Sequence, residues 1–228
     1  MSLEKEKLHF NVIIQQRKYS LKLQRDEFAP ISAKPSLPAF KKLINEGAYI
    51  DDSYAEYSIE WCEKYRKLCL ENYDLNMAYF NSLNAEEFKV ELDHYIKRNR
   101  GFKEIFDLNK FDGVSGYYIM VIGEYKQVYI GKAVDIKRRI RQHWSKTKPL
   151  DRTLFPIYNV EGSVFSIDFF RALDTTQIFI WKKALSDGLE RRLINDFPSK
   201  FLCNRIGGDV TSCLEAVATK NIRILDKE

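Results

Sequence analysis

The chain has 228 residues, 45% of them hydrophobic and 14% aromatic, which is enough apolar material for a globular core and excludes a disordered chain. The net charge is +5, and no stretch is long and apolar enough to cross a bilayer. The first residues carry too many charges for a signal peptide, so a cytoplasmic protein without a membrane partner is expected.

The cysteines support the same compartment. The four cysteines show no CxxC spacing, and the chain has only three histidines, so the sequence does not favour a structural zinc site. Reduced thiols in the cytoplasm are expected instead.

The positive charge is unevenly placed. Residues 1–110 hold 18 basic and 18 acidic side chains, whereas residues 111–228 hold 19 basic and 14 acidic ones, which accounts for the whole net charge. Eight of the basic side chains lie between Lys132 and Arg152. A charge run alone is usually a solvated helix face, but it also suits a polyanionic partner.

The first hundred residues predict helices. The run 8–14 fits either a strand or the end of a helix. A helix is expected from Ser36 to about Gly47, a longer one from Ser53 with an aromatic stripe that indicates core, and a third behind the capping pair formed by Asn84 and Glu87. Residues 97–103 are polar and basic and predict a linker.

A β-hairpin follows. Two apolar, β-prone runs, 116–122 and 125–131, flank Gly123-Glu124, and a glycine at the first position of a two-residue loop suits a type II′ turn. With this loop, Tyr118 pairs with Tyr129, and the two phenols share one face of the hairpin. The opposite, core-facing side consists of Tyr117, Ile119, Val121, Val128 and Ile130.

A basic helix comes next, with Asp135 as its N-cap. Its buried stripe consists of Ile136, Ile140 and Trp144. Arg139 and His143 lie four residues apart beside that stripe, so they are expected near the tyrosine face of the hairpin.

An insertion around 150–175, with apolar runs of ambiguous structure, separates this helix from a third strand at 177–182. The last helix is expected to begin at Ser186 and to end before Pro198. Glu190 falls inside the apolar arc of this helix, where a carboxylate is costly unless it is paired, protonated or bound to a metal. That position favours a functional role. A terminal helix is predicted over residues 211–225.

The triplets Gly116-Tyr117-Tyr118 and Tyr129-Ile130-Gly131, followed by Arg139 and His143, resemble the GIY-YIG nuclease family. Tyr117 departs from the Ile or Val that is usual there. The resemblance covers about residues 111–208. It implies an α+β fold with a small three-stranded antiparallel sheet flanked by helices. The nuclease domain would span 109–228, with the insertion around 150–175, after a mainly helical region 1–108 of unknown role.

The resemblance also implies site residues. Tyr129 would be the general base, Tyr118 would position water or metal, and Glu190 would bind Mg²⁺ or Mn²⁺. The predicted catalytic residues are Tyr118, Tyr129, Arg139, His143 and Glu190. The predicted substrate-binding residues are Lys132, Arg138, Arg141, Lys146, Lys148 and Asn204.

The sequence therefore predicts a metal-dependent endonuclease that hydrolyses phosphodiester bonds in nucleic acid, with double-stranded DNA as the expected substrate. Two alternatives stay open. The same fold would serve as a non-catalytic module that binds nucleic acid, and the helical first half would give the chain a structural or partner-binding role.

Overall fold

The computed structural model describes residues 6–16, 18–31, 49–50, 56–155, 158–186 and 188–205. Over these residues the fold is α+β, with four α-helices, a four-stranded antiparallel sheet and two two-stranded antiparallel ribbons. None of the helices in these ranges is long and apolar enough to cross a membrane. The helices predicted at 36–47 and 211–225 lie outside the described residues.

The elements have the following bounds. The strands are β1 (Glu6–His9), β2 (Val12–Gln15), β3 (Tyr49–Ile50), β4 (Glu56–Tyr57), β5 (Lys103–Ile105), β6 (Gly116–Ile122), β7 (Gln127–Ala133) and β8 (Gln177–Trp181). The helices are α1 (Ile59–Ser82), α2 (Ala85–Arg98), α3 (Ile136–Ser145) and α4 (Leu189–Asn195). The ambiguous run 8–14 thus forms a β-ribbon with its neighbours, and Phe10 and Asn11 turn the chain at positive φ.

The main sheet has four strands in the order β5-β8-β6-β7, so the expected three-stranded sheet was wrong by one strand. The extra strand, β5, pairs with β8 and overlaps the predicted linker 97–103 at Lys103. Lys103 and Glu104 are exposed, and only Ile105 is buried. A short, charged edge strand protects a sheet from further pairing, but it has no hydrophobic pattern that would reveal it.

The register of the β6–β7 hairpin differs from the prediction by two residues. The turn contains four residues rather than two: a 3-10 turn, Gly123–Tyr125, and then Lys126 in the left-handed region at a φ of 49°. Tyr118 therefore pairs with Gly131, and Tyr129 pairs with Met120. A shift of two residues keeps every side chain on its predicted face.

The sheet divides two hydrophobic cores. Tyr118 and Met120 face the core formed with the N-terminal ribbon, α1, α3 and the insertion. Tyr117 and Ile119 face the core formed with α2 and α4. All seven residues of β6 are buried. Residues from both 1–108 and 109–205 contribute to each core, and three packed layers result.

Two helix starts differ from their predictions. α1 begins after Ser58, whose side chain accepts from the Trp61 backbone N–H, because the preceding residues form β4 rather than helix. α4 begins after Gly188, at a φ of 77°, and not at Ser186. The Ser186 backbone N–H instead donates to the Tyr117 hydroxyl at 2.9 Å. The predicted caps of α2, at Asn84, and of α3, at Asp135, are confirmed.

Candidate active site

The two tyrosines of the hairpin lie side by side on the face that packs against α3. Their ring centroids are 6.1 Å apart, as expected for diagonal rather than directly paired residues. Tyr118 is completely buried, whereas Tyr129 is only partly buried. The Tyr129 hydroxyl makes no hydrogen bond to any residue that the structure describes, so it is available to a small molecule at the site.

His143 on α3 joins the tyrosines to a carboxylate. Its Nε2 lies 3.0 Å from the Tyr118 hydroxyl oxygen, and its Nδ1 lies 2.7 Å from Oδ1 of Asp168. The imidazole also packs edge-on against the ring of Tyr129, with centroids 5.0 Å apart. Burial lowers the pKa of His143, and the nearby cations Arg139 and Lys146 act in the same direction, while Asp168 opposes them. The ring is therefore neutral at neutral pH.

Arg139 lies on the same side of α3, one turn before His143, and its positive charge acts on the Tyr118 phenol. Burial raises the pKa of Tyr118 well above its usual value, the Tyr129 phenol adds to this, and the Arg139 charge opposes it. Burial likewise raises the pKa of Tyr129 to about 12, against the charge of Arg139 and together with that of Glu190. Neutralising the Glu190 carboxylate would therefore lower the Tyr129 pKa.

Gly131, which ends the second triplet, is required by the close approach of both rings. A Cβ at this position would lie 2.7 Å from the Tyr118 hydroxyl oxygen and 2.9 Å from Cε1 of Tyr129. Both contacts are shorter than real Cβ atoms tolerate. The absence of a side chain at residue 131 thus lets the Tyr118 hydroxyl cross β7 and reach His143.

Glu190 lies in the first turn of α4, beside β7. Its Oε1 accepts from the Lys132 backbone N–H at 3.1 Å, and its Oε2 is 3.7 Å from Lys132 Nζ. The side chain is 14% exposed. A carboxylate in this position was expected to be paired, protonated or bound to a metal. In the structure it is paired with Lys132. The carboxylate also contributes to the raised pKa values of both tyrosines.

The donor chemistry at Glu190 fits a hard divalent cation with one protein ligand. Mg²⁺ is commonly bound by one or two carboxylates, with waters and substrate phosphate oxygens completing its shell. Within the described residues, no three or more His, Cys, Asp and Glu side chains are grouped as a metal site. A metal here would thus depend on the substrate for further oxygen ligands.

Asn204 binds the backbone of β7. Its Oδ1 accepts from the Ile130 backbone N–H at 3.1 Å, and its Nδ2 donates to the Ile130 carbonyl at 2.8 Å. These two bonds hold the strand next to Tyr129. Direct contact of Asn204 with substrate stays a prediction.

The predicted basic residues separate into two groups around α3. Lys132 lies at Glu190, and Lys148 lies 3.3 Å from Oδ2 of Asp168, so both are close to the tyrosine site. Arg138 and Arg141 are exposed on the opposite side of the helix, where they line a cleft of about 980 Å³ beside the β1–β2 ribbon. Lys146 is exposed just after α3.

Asp168 is the site residue that the sequence did not reveal. It belongs to a 3-10 helix, Ile167–Phe169, inside the insertion, and it is buried. A single carboxylate in the apolar run 164–170 was the available signal, because a buried charge needs a partner. The partner, His143, is 25 residues away along the chain.

Comparison of the chain with protein-family models, curated proteins and solved structures gives no match. The resemblance to the GIY-YIG family therefore depends on the two triplets and on the residues that surround them. Tyr118, Tyr129, Arg139, His143 and Glu190 all lie at one corner of the sheet, between α3 and α4.

Proposed function

We propose that the chain is a metal-dependent endonuclease of the GIY-YIG type that hydrolyses phosphodiester bonds in double-stranded DNA. One observation carries the proposal: two tyrosines, an arginine and a histidine converge beside a single paired carboxylate. Phosphodiester hydrolysis needs an activated water, cationic charge at the phosphate and a site for a divalent cation. This set of side chains supplies a candidate for each requirement.

The roles follow from access and charge. Tyr129 is the general base, because its hydroxyl has no partner among the described residues and its side chain is partly exposed. Tyr118 is fully buried and hydrogen-bonded, so it positions its neighbours and does not take the proton. Arg139 binds a phosphate oxygen and supplies positive charge next to both phenols.

Glu190 holds Mg²⁺ or Mn²⁺ in this proposal, and the cation supplies Lewis-acid stabilisation of charge on the phosphate. Lys132, which now contacts the Glu190 carboxylate, becomes a phosphate ligand when substrate binds. Arg138, Arg141 and Lys146 add salt-dependent affinity for the polyanion. We further propose a cytoplasmic location, since the buried Cys62, Cys69 and Cys203 are free thiols.

The Glu190→Gln variant tests this function. Glutamine keeps an oxygen that accepts from the Lys132 N–H, so the fold and the affinity for DNA should persist, whereas plasmid cleavage in Mg²⁺ should fall below detection. Glu91→Gln, the same change on α2, is the matched control and should cleave like the wild type. Nicking and linearisation of plasmid are measured with Mg²⁺ and with EDTA.

Two outcomes would contradict the proposal. Undiminished Mg²⁺-dependent cleavage by Glu190→Gln would remove the metal assignment. Salt-dependent DNA binding by the wild type, with no cleavage in Mg²⁺ or Mn²⁺, would favour the non-catalytic binding module instead.

A further inference from the structure

The hydrogen bonds around Tyr118 form a chain with one direction. Asp168 is ionised: burial raises its pKa, but the hydrogen bond from His143 and the charges of Lys148 and Lys146 outweigh this and hold the pKa below its usual range. A carboxylate only accepts hydrogen bonds, so Nδ1 of His143 carries the proton that points at Asp168.

The neutral imidazole then has an unprotonated Nε2, which accepts from the Tyr118 hydroxyl. The proton of Tyr118 is directed at His143, and the lone pairs of its hydroxyl oxygen remain available to a donor. Both donors, the Tyr118 hydroxyl and the His143 Nδ1–H, point towards Asp168. The fixed acceptor at the Asp168 end determines the direction of the whole chain.

We propose that Asp168 is a positioning residue: by fixing the His143 tautomer it fixes the direction of the Tyr118 hydroxyl beside Tyr129. Asp168 does not touch the reacting atoms. Its second oxygen is held by Lys148 at 3.3 Å, and its backbone N–H is bound by Ser166 Oγ, so the carboxylate is itself oriented. The effect of Asp168 on cleavage rests on the proposed nuclease function, whereas its effect on the His143 tautomer does not.

Asparagine at residue 168 would remove this direction. Its amide offers an acceptor and a donor of nearly the same shape, so His143 can carry its proton on either nitrogen. A proton on Nε2 would point at Tyr118 and would force the phenol proton away from His143. The alternative role for Asp168, a purely structural ion pair with Lys148, predicts no change in the tautomer.

The first measurement needs no substrate, and its wild-type arm needs no variant. Long-range ¹H–¹⁵N correlation spectra of the full chain at neutral pH report the protonated nitrogen of each of the three histidines. We expect His143 protonated at Nδ1 in the wild type, and a mixed or reversed tautomer in Asp168→Asn. A wild-type His143 protonated at Nε2 would overturn the proposal even if the variant fails to fold.

The second measurement is plasmid cleavage under saturating Mg²⁺. Asp168→Asn should lose about tenfold in kcat with little change in KM. That loss is smaller than the roughly hundredfold to ten-thousandfold that removal of a general base costs. Asp174→Asn, a buried aspartate on the next 3-10 helix, Ala172–Asp174, should keep both the tautomer and kcat. An unchanged kcat in a folded Asp168→Asn would reject the positioning role but leave the nuclease assignment intact. A wild type without cleavage would reject the nuclease assignment and the catalytic role, while the spectra would still decide the tautomer.

Discussion

The hydroxyls of Tyr118 and Tyr129 have opposite environments, so their removal should have opposite effects. Tyr129→Phe removes an oxygen that has no partner among the described residues, and we expect unchanged stability with at least a hundredfold loss of rate. Tyr118→Phe leaves the buried Nε2 of His143 without its donor, which costs about 1–3 kcal/mol of stability and a smaller loss of rate. Urea unfolding and single-turnover cleavage measure the two effects.

The control for these variants is Tyr125→Phe, in the turn of the same hairpin. The Tyr125 ring packs against Phe170 and makes no hydrogen bond within the described residues, so stability and rate should both stay near wild type. Tyr117 is unsuitable, because its hydroxyl holds the backbone of Ser186 just before α4. Cleavage that survives Tyr129→Phe and disappears in Tyr118→Phe would exchange the two roles.

Because of the buried carboxyl group of Asp174, we expect an unusual dependence of the protein's folding stability on pH. Burial raises its pKa to about 6 from 3.8, although the backbone N–H groups of Arg171 and Leu23 bind its Oδ2. Because the folded-state pKa exceeds the unfolded one, the folded state binds the extra proton, and stability falls as pH rises from about 4 to 6. Relative to wild type, Asp174→Asn should therefore gain stability over that interval, by up to about 3 kcal/mol.

Urea titrations at several pH values between 4 and 7.5 measure this difference. Asp74→Asn is the comparison of opposite sign, because the hydrogen bond from Arg25 lowers the pKa of Asp74 and its contribution is lost as pH falls. If the stability of Asp174→Asn and that of the wild type changed with pH in the same way, the raised pKa of Asp174 would be contradicted.

At the scale of the elements, the two faces of α3 carry different side chains. Its inner face carries Arg139 and His143 to the tyrosines, and its outer face carries Arg138 and Arg141 beside the cleft. Replacing both Arg138 and Arg141 with glutamine should leave kcat unchanged. It should reduce the slope of log Kd against log salt by about 2, because B-DNA releases about 0.9 counterion per phosphate contact.

The matched control places the same change of charge on α2, with Lys89→Gln and Lys97→Gln, both of which are exposed. That pair should leave the salt slope unaltered. An equal reduction in both double variants would mean that net charge alone, and not the outer face of α3, determines the affinity.

The hairpin and β5 show which elements the sequence can predict. The faces of β6 and β7 follow from alternation of side chains, and alternation survives a two-residue error in register. The turn itself was not predictable, because Lys126 adopts a left-handed conformation without glycine. β5 was missed because its two exposed charges resemble a linker. The grouping of Tyr118, Tyr129 and His143 was predictable from local patterns, whereas Asp168 meets His143 only through tertiary folding.

At the scale of the whole molecule, the first half of the chain is part of the packing around the site. A fragment starting at Lys110 would lack β5, which pairs with β8, and would lack α1 and α2, which bury Cys69, Phe80 and Tyr95 in the two cores. We expect this fragment to show no cooperative thermal unfolding by circular dichroism and no cleavage. Addition of the separately expressed residues 1–109 should restore both in part. A folded and fully active fragment would instead make the first half accessory.

The β1–β2 ribbon contacts residues that are synthesised much later. His9 Nε2 donates to the Thr175 carbonyl, 166 residues later, and the Leu23 backbone N–H is bound by Asp174, 151 residues later. A ribosome adding about 5–20 residues per second needs roughly ten to thirty seconds to make that interval. An isolated two-stranded hairpin is only marginally stable in water. We therefore expect β1 and β2 to become ordered only after the segment that contains Thr175 has been synthesised.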